Sequence, residues 1–173
     1  MALTKVIGAG IGTVTNQFAD ANMSAGSVVQ VVNVQRGDSL TGTSQMAADD
    51  TIPQNNEGTE VLTLAITPTS ATNKLLIQIV LYGSSSADHV MTPALFQDST
   101  AGALAAVTAY QPTGTGTQTL PLNHFMTAGT TSATTFKVRV GINSGTFTLN
   151  GYSGTRKVGG VAASSMTITE IAV

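Results

Sequence analysis

The stretch Thr134 to Ile142, TTFKVRVGI, decides the fold class: Phe136, Val138, Val140 and Ile142 alternate with Lys137, Arg139 and Gly141. A period of two puts the apolar set on one face and the cations on the other, which is the pattern of a half-buried β-strand. Asn143-Ser144-Gly145 then turns the chain into a second apolar run, Thr146 to Leu149, as a hairpin requires. Working outward, runs of the same character recur at Ser27 to Gln35, Thr59 to Thr67, Val90 to Gln97, Ala103 to Tyr110, Gln118 to Met126 and Ser164 to Ala172. Lys74 to Tyr82 is nearly all apolar and predicts a central strand buried on both sides. Pro121 cannot donate to a ladder, so its strand belongs at a sheet edge or a bulge. Short strands at this spacing, separated by polar turns, predict an all-β chain: a jelly-roll-like antiparallel β-sandwich of about eight or nine strands.

Composition supports this reading. Of 173 residues, 28 are Thr, 14 Ser and 18 Gly, whereas charged residues reach only 9%. Good helix formers are scarce and β-branched residues abound, which excludes a helical bundle. The net charge of −2 and seven scattered Lys and Arg residues leave no basic surface for a nucleic-acid backbone. With no cysteine, disulfides, zinc–thiolate sites and thiol catalysis are all absent. The sequence contains no apolar run of the roughly 18 residues that a transmembrane helix needs. A surface so poor in charge, in a chain of mean hydropathy +0.21, sits uneasily on a free monomer and points to assembly.

The first 26 residues differ from the rest. Gly8, Gly10, Gly12 and Gly26 alternate with isolated apolar residues, Val6, Ile7, Ile11, Val14, Phe18 and Met23, at neither strand nor helix spacing. The segment reads as an extended arm that takes its order from a partner, leaving residues 27–173 as the sandwich. Lys5, the following apolar residues and Ala19-Asp20-Ala21 outline a secretory signal, but the centre is too glycine-rich for its apolar core. Gly8-x-Gly10-x-Gly12 lacks the βαβ surroundings of a dinucleotide fingerprint. Asn22-Met23-Ser24 is a chance glycosylation sequon.

Catalytic signals are weak. The two histidines, His89 and His124, come with no nucleophile-elbow sequence. Asp49, Asp50, Glu57 and Glu60 lie in or beside a polar loop over residues 36–58, where solvated charge is the expected state, and they lack a calcium-loop pattern. Tyr82, Tyr110 and Tyr152 are the aromatics besides five Phe; they read as strand-end residues with a wet hydroxyl. No catalytic, metal-binding or cofactor-binding residue is assigned, and the chain is expected not to be an enzyme. The loops at 36–58, 83–89 and 111–117 are expected to be exposed.

Several strings resemble a family of small virion surface proteins of tailed bacteriophages. They are GSVVQVV from Gly26, Glu57-Gly58, Glu60-Val61-Leu62, ITPTSATNKLLI from Ile66 to Ile77, ALFQD from Ala94, AGTTS from Ala128, FKVR from Phe136, Asn150-Gly151 and ITEI from Ile168. Gln97 stands where the family commonly has a basic residue. The stretch from Val14 to Met23 is similar to attachment segments that precede globular tips in phage fibres. The resemblance implies a structural protein of the virion, a short homotrimeric tail fibre or appendage. Its anchor would be Val6, Ile7, Ile11, Val14, Phe18 and Met23, docked on other virion proteins, and its loops would face host-surface glycan. The same trimer placed on the head would be a capsid decoration or head-fibre protein. It implies no cofactor, no nucleic acid and no membrane insertion. A carbohydrate-binding module and a glycan depolymerase are the readings from other classes.

Overall fold

The structure, a computed structural model, describes residues 23–112 and 116–173. Phe136, Val138, Val140 and Ile142 are all at most 1% exposed, and the strand that carries them, β9 (Thr134–Ile142), pairs on both sides. The strands before it are β1 (Val28–Arg36), β2 (Leu40–Gly42), β3 (Thr59–Ile66), β4 (Lys74–Ser85), β5 (His89–Gln97), β6 (Ala105–Ala106), β7 (Ala109–Gln111) and β8 (Gln118–Thr127). After it come β10 (Phe147–Leu149), β11 (Gly151–Tyr152), β12 (Thr155–Arg156) and β13 (Ser164–Ile171).

One sheet runs β1-β13-β4-β8, with β2 and β10 continuing β1 and β13 along the far end of β4. The other runs β3-β9-β5, with β6 and β7 sharing the free edge of β5. All of these pairs are antiparallel. Counting the eight long ribbons in chain order, the first sheet is 1-8-3-6 and the second 2-7-4-5, the strand order of a jelly roll. The core lies between the sheets, where Leu75, Ile77, Ile79 and Leu81 of β4 and Met166 and Ile168 of β13 meet Met91, Leu95, Phe136 and Val138.

Two prolines shape the edges. Pro121 lies in β8, which among the described residues pairs only with β4, so its missing N–H faces no ladder. Pro93 sits inside β5 and accepts from Val107 N at 3.1 Å, but has no N–H to return to the Val107 carbonyl. The fifth ribbon therefore breaks into β6 and β7 at Val107-Thr108, although both halves keep one register on β5.

Three sequence expectations are corrected. β4 is buried on one face only: Gln78 and Val80 point outward, Val80 being 45% exposed. An antiparallel sheet needs cover on one side alone, and among the described residues none forms a second layer over most of the outer face of β4. The segment 43–58 is not simply an exposed loop, because it straps the outer face of the second sheet. Met46, 1% exposed, covers Ala94 and Phe96, and Gly141 is required beneath it, since a Cβ there would overlap that of Met46. The third concerns 83–89: β4 runs on to Ser85, and Gly83, Ser84 and Ser85 are buried.

Two buried polar residues pin the ribbons. Asn150, with φ of 55° and no exposure, donates from Nδ2 to the carbonyls of Arg36 (2.7 Å) and Asp38 (2.8 Å). Its Oδ1 accepts from Ser164 Oγ at 2.8 Å. It thus fixes the point at which β1 hands over to β2 and β10 to β13. At the opposite end Glu170, also fully buried, accepts from Gln30 Nε2 (2.5 Å), Thr69 N (2.8 Å), Thr69 Oγ1 (2.8 Å) and Asn73 Nδ2 (2.7 Å). The turn within ITPTSATNK is folded around this carboxylate.

Burial pushes the Glu170 pKa up, but the hydrogen bonds from Gln30, Asn73 and Thr69 outweigh it and hold the group below the usual 4.5. A carboxyl with a depressed folded-state pKa contributes stability above its unfolded value and loses it as pH falls through the folded one. Glu170→Ala is therefore expected to cost about 3–5 kcal/mol at neutral pH, from several donors left buried and unpaired. Glu170→Gln should be less stable than the native chain at pH 7 and flatter in stability below about pH 4.5. Urea unfolding at a series of pH values checks both.

Candidate interaction surfaces

The outer face of the first sheet follows from its register. Val31, Thr169, Leu76 and Phe125 form one row across β1, β13, β4 and β8. The next row is Asn33, Thr167, Gln78 and Asn123, and the one after it Gln35, Ser165, Val80 and Pro121. Across these three rows no residue is charged. Val31 is 56% and Phe125 57% exposed, so the face presents apolar groups at both ends of one row, with Leu76, Val80 and Pro121 interspersed among amides and hydroxyls. Lys74, in the row that precedes that of Val31, donates to Thr127 Oγ1 at 2.7 Å.

The second sheet differs. On its outer face Glu60 lies 3.7 Å from both Lys137 and Arg139. Arg139 also donates to the carbonyls of Glu57 (2.6 Å) and Gly58 (2.8 Å), holding the end of the strap. Three charges thus meet where the strap is bound, whereas on the outer face of β1, β13, β4 and β8 Lys74 is the one charged residue among those described.

The residues singled out from sequence are scattered. Among the described residues no hydrogen bond joins either imidazole to another side chain. His89 opens β5 in the second sheet, and His124 lies on the inner face of edge strand β8 in the first. The carboxylates are engaged separately: Asp49 accepts from Thr51 N at 2.9 Å and Thr51 Oγ1 at 2.5 Å. Glu57 accepts from Gln54 N at 2.6 Å, and Asp50 is exposed. Among the described residues no group of three acidic or histidine side chains is placed to hold a metal. Tyr82 accepts from Thr117 Oγ1 at 2.6 Å, Lys157 Nζ lies 3.9 Å from the centre of the Tyr152 ring, and Tyr110 is 58% exposed on β7. Of the arm residues, Val6, Ile7, Ile11, Val14 and Phe18 lie outside the described residues. Met23 is half-buried just before the turn in which Ser27 N bonds Ser24 O and Gly26 N bonds Ala172 O.

No family model matches the chain, and no curated protein matches it. Solved structures are similar to it at low identity. The Eiger TNF of S. frugiperda is 13% identical over 82% of this chain and 93% of its own, with a TM-score of 0.42. The infectious bursal disease virus VP2 subviral particle is 11% identical over 87% of this chain and 38% of its own, also at 0.42. The enzymatically active domain of tailspike protein 4 of bacteriophage CBA120 is 13% identical over 69% of this chain and 18% of its own, at 0.31.

Burial lowers the pKa of His124 below the usual 6.5, because the cation is partly desolvated. The unfolded chain then takes up its proton first, and stability is lost as pH falls below 6.5 until the folded-state value is passed. A proton NMR titration of the imidazole should give a midpoint below 6.5 for His124, and His124→Leu should remove that part of the acid sensitivity.

Proposed function

We propose that the chain is a non-enzymatic structural protein of a tailed-phage virion: a short homotrimeric fibre or appendage whose arm, residues 1–26, docks on other virion proteins. The observation that carries the reading is the outer face of the first sheet, where three successive rows carry no charge and Val31, Leu76, Val80 and Phe125 share one surface. Strand spacing and rise give those rows a footprint of about 20 by 20 Å. That is about half of the ~800 Å² per partner buried in a stable interface. Burying uncharged amides and hydroxyls against a second copy avoids the desolvation cost of charge. The strings shared with phage surface proteins, ITPTSATNKLLI above all, supply the virion as the setting. The strap and the charged second sheet would then face outward.

Light scattering on the full chain should give about three times the 17.6 kDa of one copy. Val31→Glu with Phe125→Glu, both on outward positions, should yield folded single chains with an unchanged far-UV spectrum. A single-chain mass for the native protein would overturn the trimer. Removing residues 1–25 should leave the trimer intact but abolish its attachment to particles; unimpaired attachment would sink the anchoring role.

A further inference from the structure

Between buried Gly151 and buried Ser164 the chain leaves the body of the sandwich. None of residues 152–163 is buried, and Val158 and Val161 are 62% and 82% exposed. The segment begins with β11 and β12, which pair with each other over two residues apiece. Beyond Lys157 it reverses through a second turn, closed by Gly160 N on Lys157 O (3.4 Å) and Val161 N on Val158 O (3.1 Å). Gly154 N on Thr148 Oγ1 (3.1 Å) and Lys157 N on Asn150 O (3.1 Å) tie it to the body.

Val158 carries strain in this turn. Its φ is 54°, and Gly159 and Gly160 follow at 62° and 89°. A β-branched residue is an outlier in the left-handed region, because its Cβ crowds the backbone, whereas glycine enters it freely. Opening the turn to an extended backbone therefore relieves Val158 and uncovers no core residue. Such a segment belongs to the low end of local stability.

The same segment holds two adjacent cations, Arg156 and Lys157, neither of which forms an ion pair among the described residues. Arg156 is exposed, with its guanidinium against Gly160, where a Cβ would lie 2.8 Å from Nη1. Lys157 rests its Nζ on the Tyr152 ring. The other described cations are held differently. Arg36, Lys74, Lys137 and Arg139 lie in β1, β4 and β9, whose ladders fix their backbones. Asn150 also binds the carbonyls of Arg36 and Asp38.

We propose that Arg156-Lys157 is a cleavage site for serine proteases whose pocket selects cationic side chains, cut after either residue while the chain is folded. Such a protease needs an accessible backbone that can extend and a cation free to enter an anionic pocket. Among the described residues this segment alone combines them. The step after Lys157 is a hydrolysis: the peptide C–N bond breaks, the carbonyl carbon takes the oxygen of one water, and the Val158 nitrogen leaves with its proton as an amine.

The cut leaves the sandwich standing. The piece 158–173 carries β13, which lies between β1 and β4 with Met166 and Ile168 unexposed and Glu170 in its cage. It stays in place as a separate chain, and unfolding then becomes a dissociation whose reversal depends on concentration. None of this rests on the virion reading. The turn packs on Gly37, beyond the last of the three uncharged rows.

The test is limited digestion of the full-length native chain with trypsin, followed over time by mass spectrometry. The first cut among the described residues is expected after Arg156 or Lys157. Its two pieces should elute together from a sizing column at the volume of the uncut protein, with an unchanged far-UV spectrum. Arg156→Gln with Lys157→Gln, both outside the core, should keep that spectrum and lose the cut. A first cut after Arg36, Lys74, Lys137 or Arg139 would overturn the proposal. So would a native segment left intact under conditions that digest the urea-unfolded chain, or escape of the 158–173 piece from the folded remainder.

Discussion

The carboxylate of Glu170 is the point on which the sandwich closes. It draws together Gln30, 140 residues away in sequence, and Thr69, 101 residues away, so that β1, β13 and the β3–β4 turn share one buried anion. A buried carboxylate normally requires a cation; here amides, hydroxyls and a backbone N–H supply the compensation. That solution suits a chain with seven Lys and Arg residues in total. It is also directional, because these donors converge on two oxygens only when β1 and β13 are in register, and a slip by one residue would turn Glu170 out of the cage. Asn150 performs the corresponding task at the other end, where two ribbons change partner along β4.

Scarcity of charge then organises the surface. One group of charges, Glu60, Lys137 and Arg139, lies where the strap is fastened to the second sheet, and another, Arg36 with Asp38, closes the end of β1. Ion pairs this exposed add little to stability, but they mark the face that tolerates water. The outer face of the first sheet presents Thr, Ser, Asn and Gln among Val31, Leu76, Val80, Pro121 and Phe125, a surface wettable in the free chain and inexpensive to desolvate against another. The two faces thus differ in what they can meet, and the functional reading follows from that difference.

Much of this architecture was legible in the sequence. Short runs of β character between polar turns located the long strands, with the second sheet's centre clearest because Lys137 and Arg139 alternate so sharply with Phe136 and Val138. Pro121 marked an edge for a local reason. What escaped was long-range. Nothing near Met46 signals that it covers Ala94 and Phe96, since a strap's contacts are invisible to local periodicity. Gly141, standing at an outward position where the alternation calls for a polar side chain, was the one hint that backbone approaches there. Pro93 stands opposite the break between β6 and β7. Its effect depends on which strand lies opposite, and that register is not written in local sequence. The apolar run of β4 misled for the same reason: Leu76 and Val80 face outward.

Whether the chain stands on a virion is tested most directly by electron microscopy. Particles produced from the genome that encodes it would be labelled with a gold-conjugated antibody raised against residues 27–173. Discrete label on the particle surface is expected, at the tail for a fibre or across the head for a decoration protein. Intact, accessible particles that carry no label would overturn the virion-surface reading.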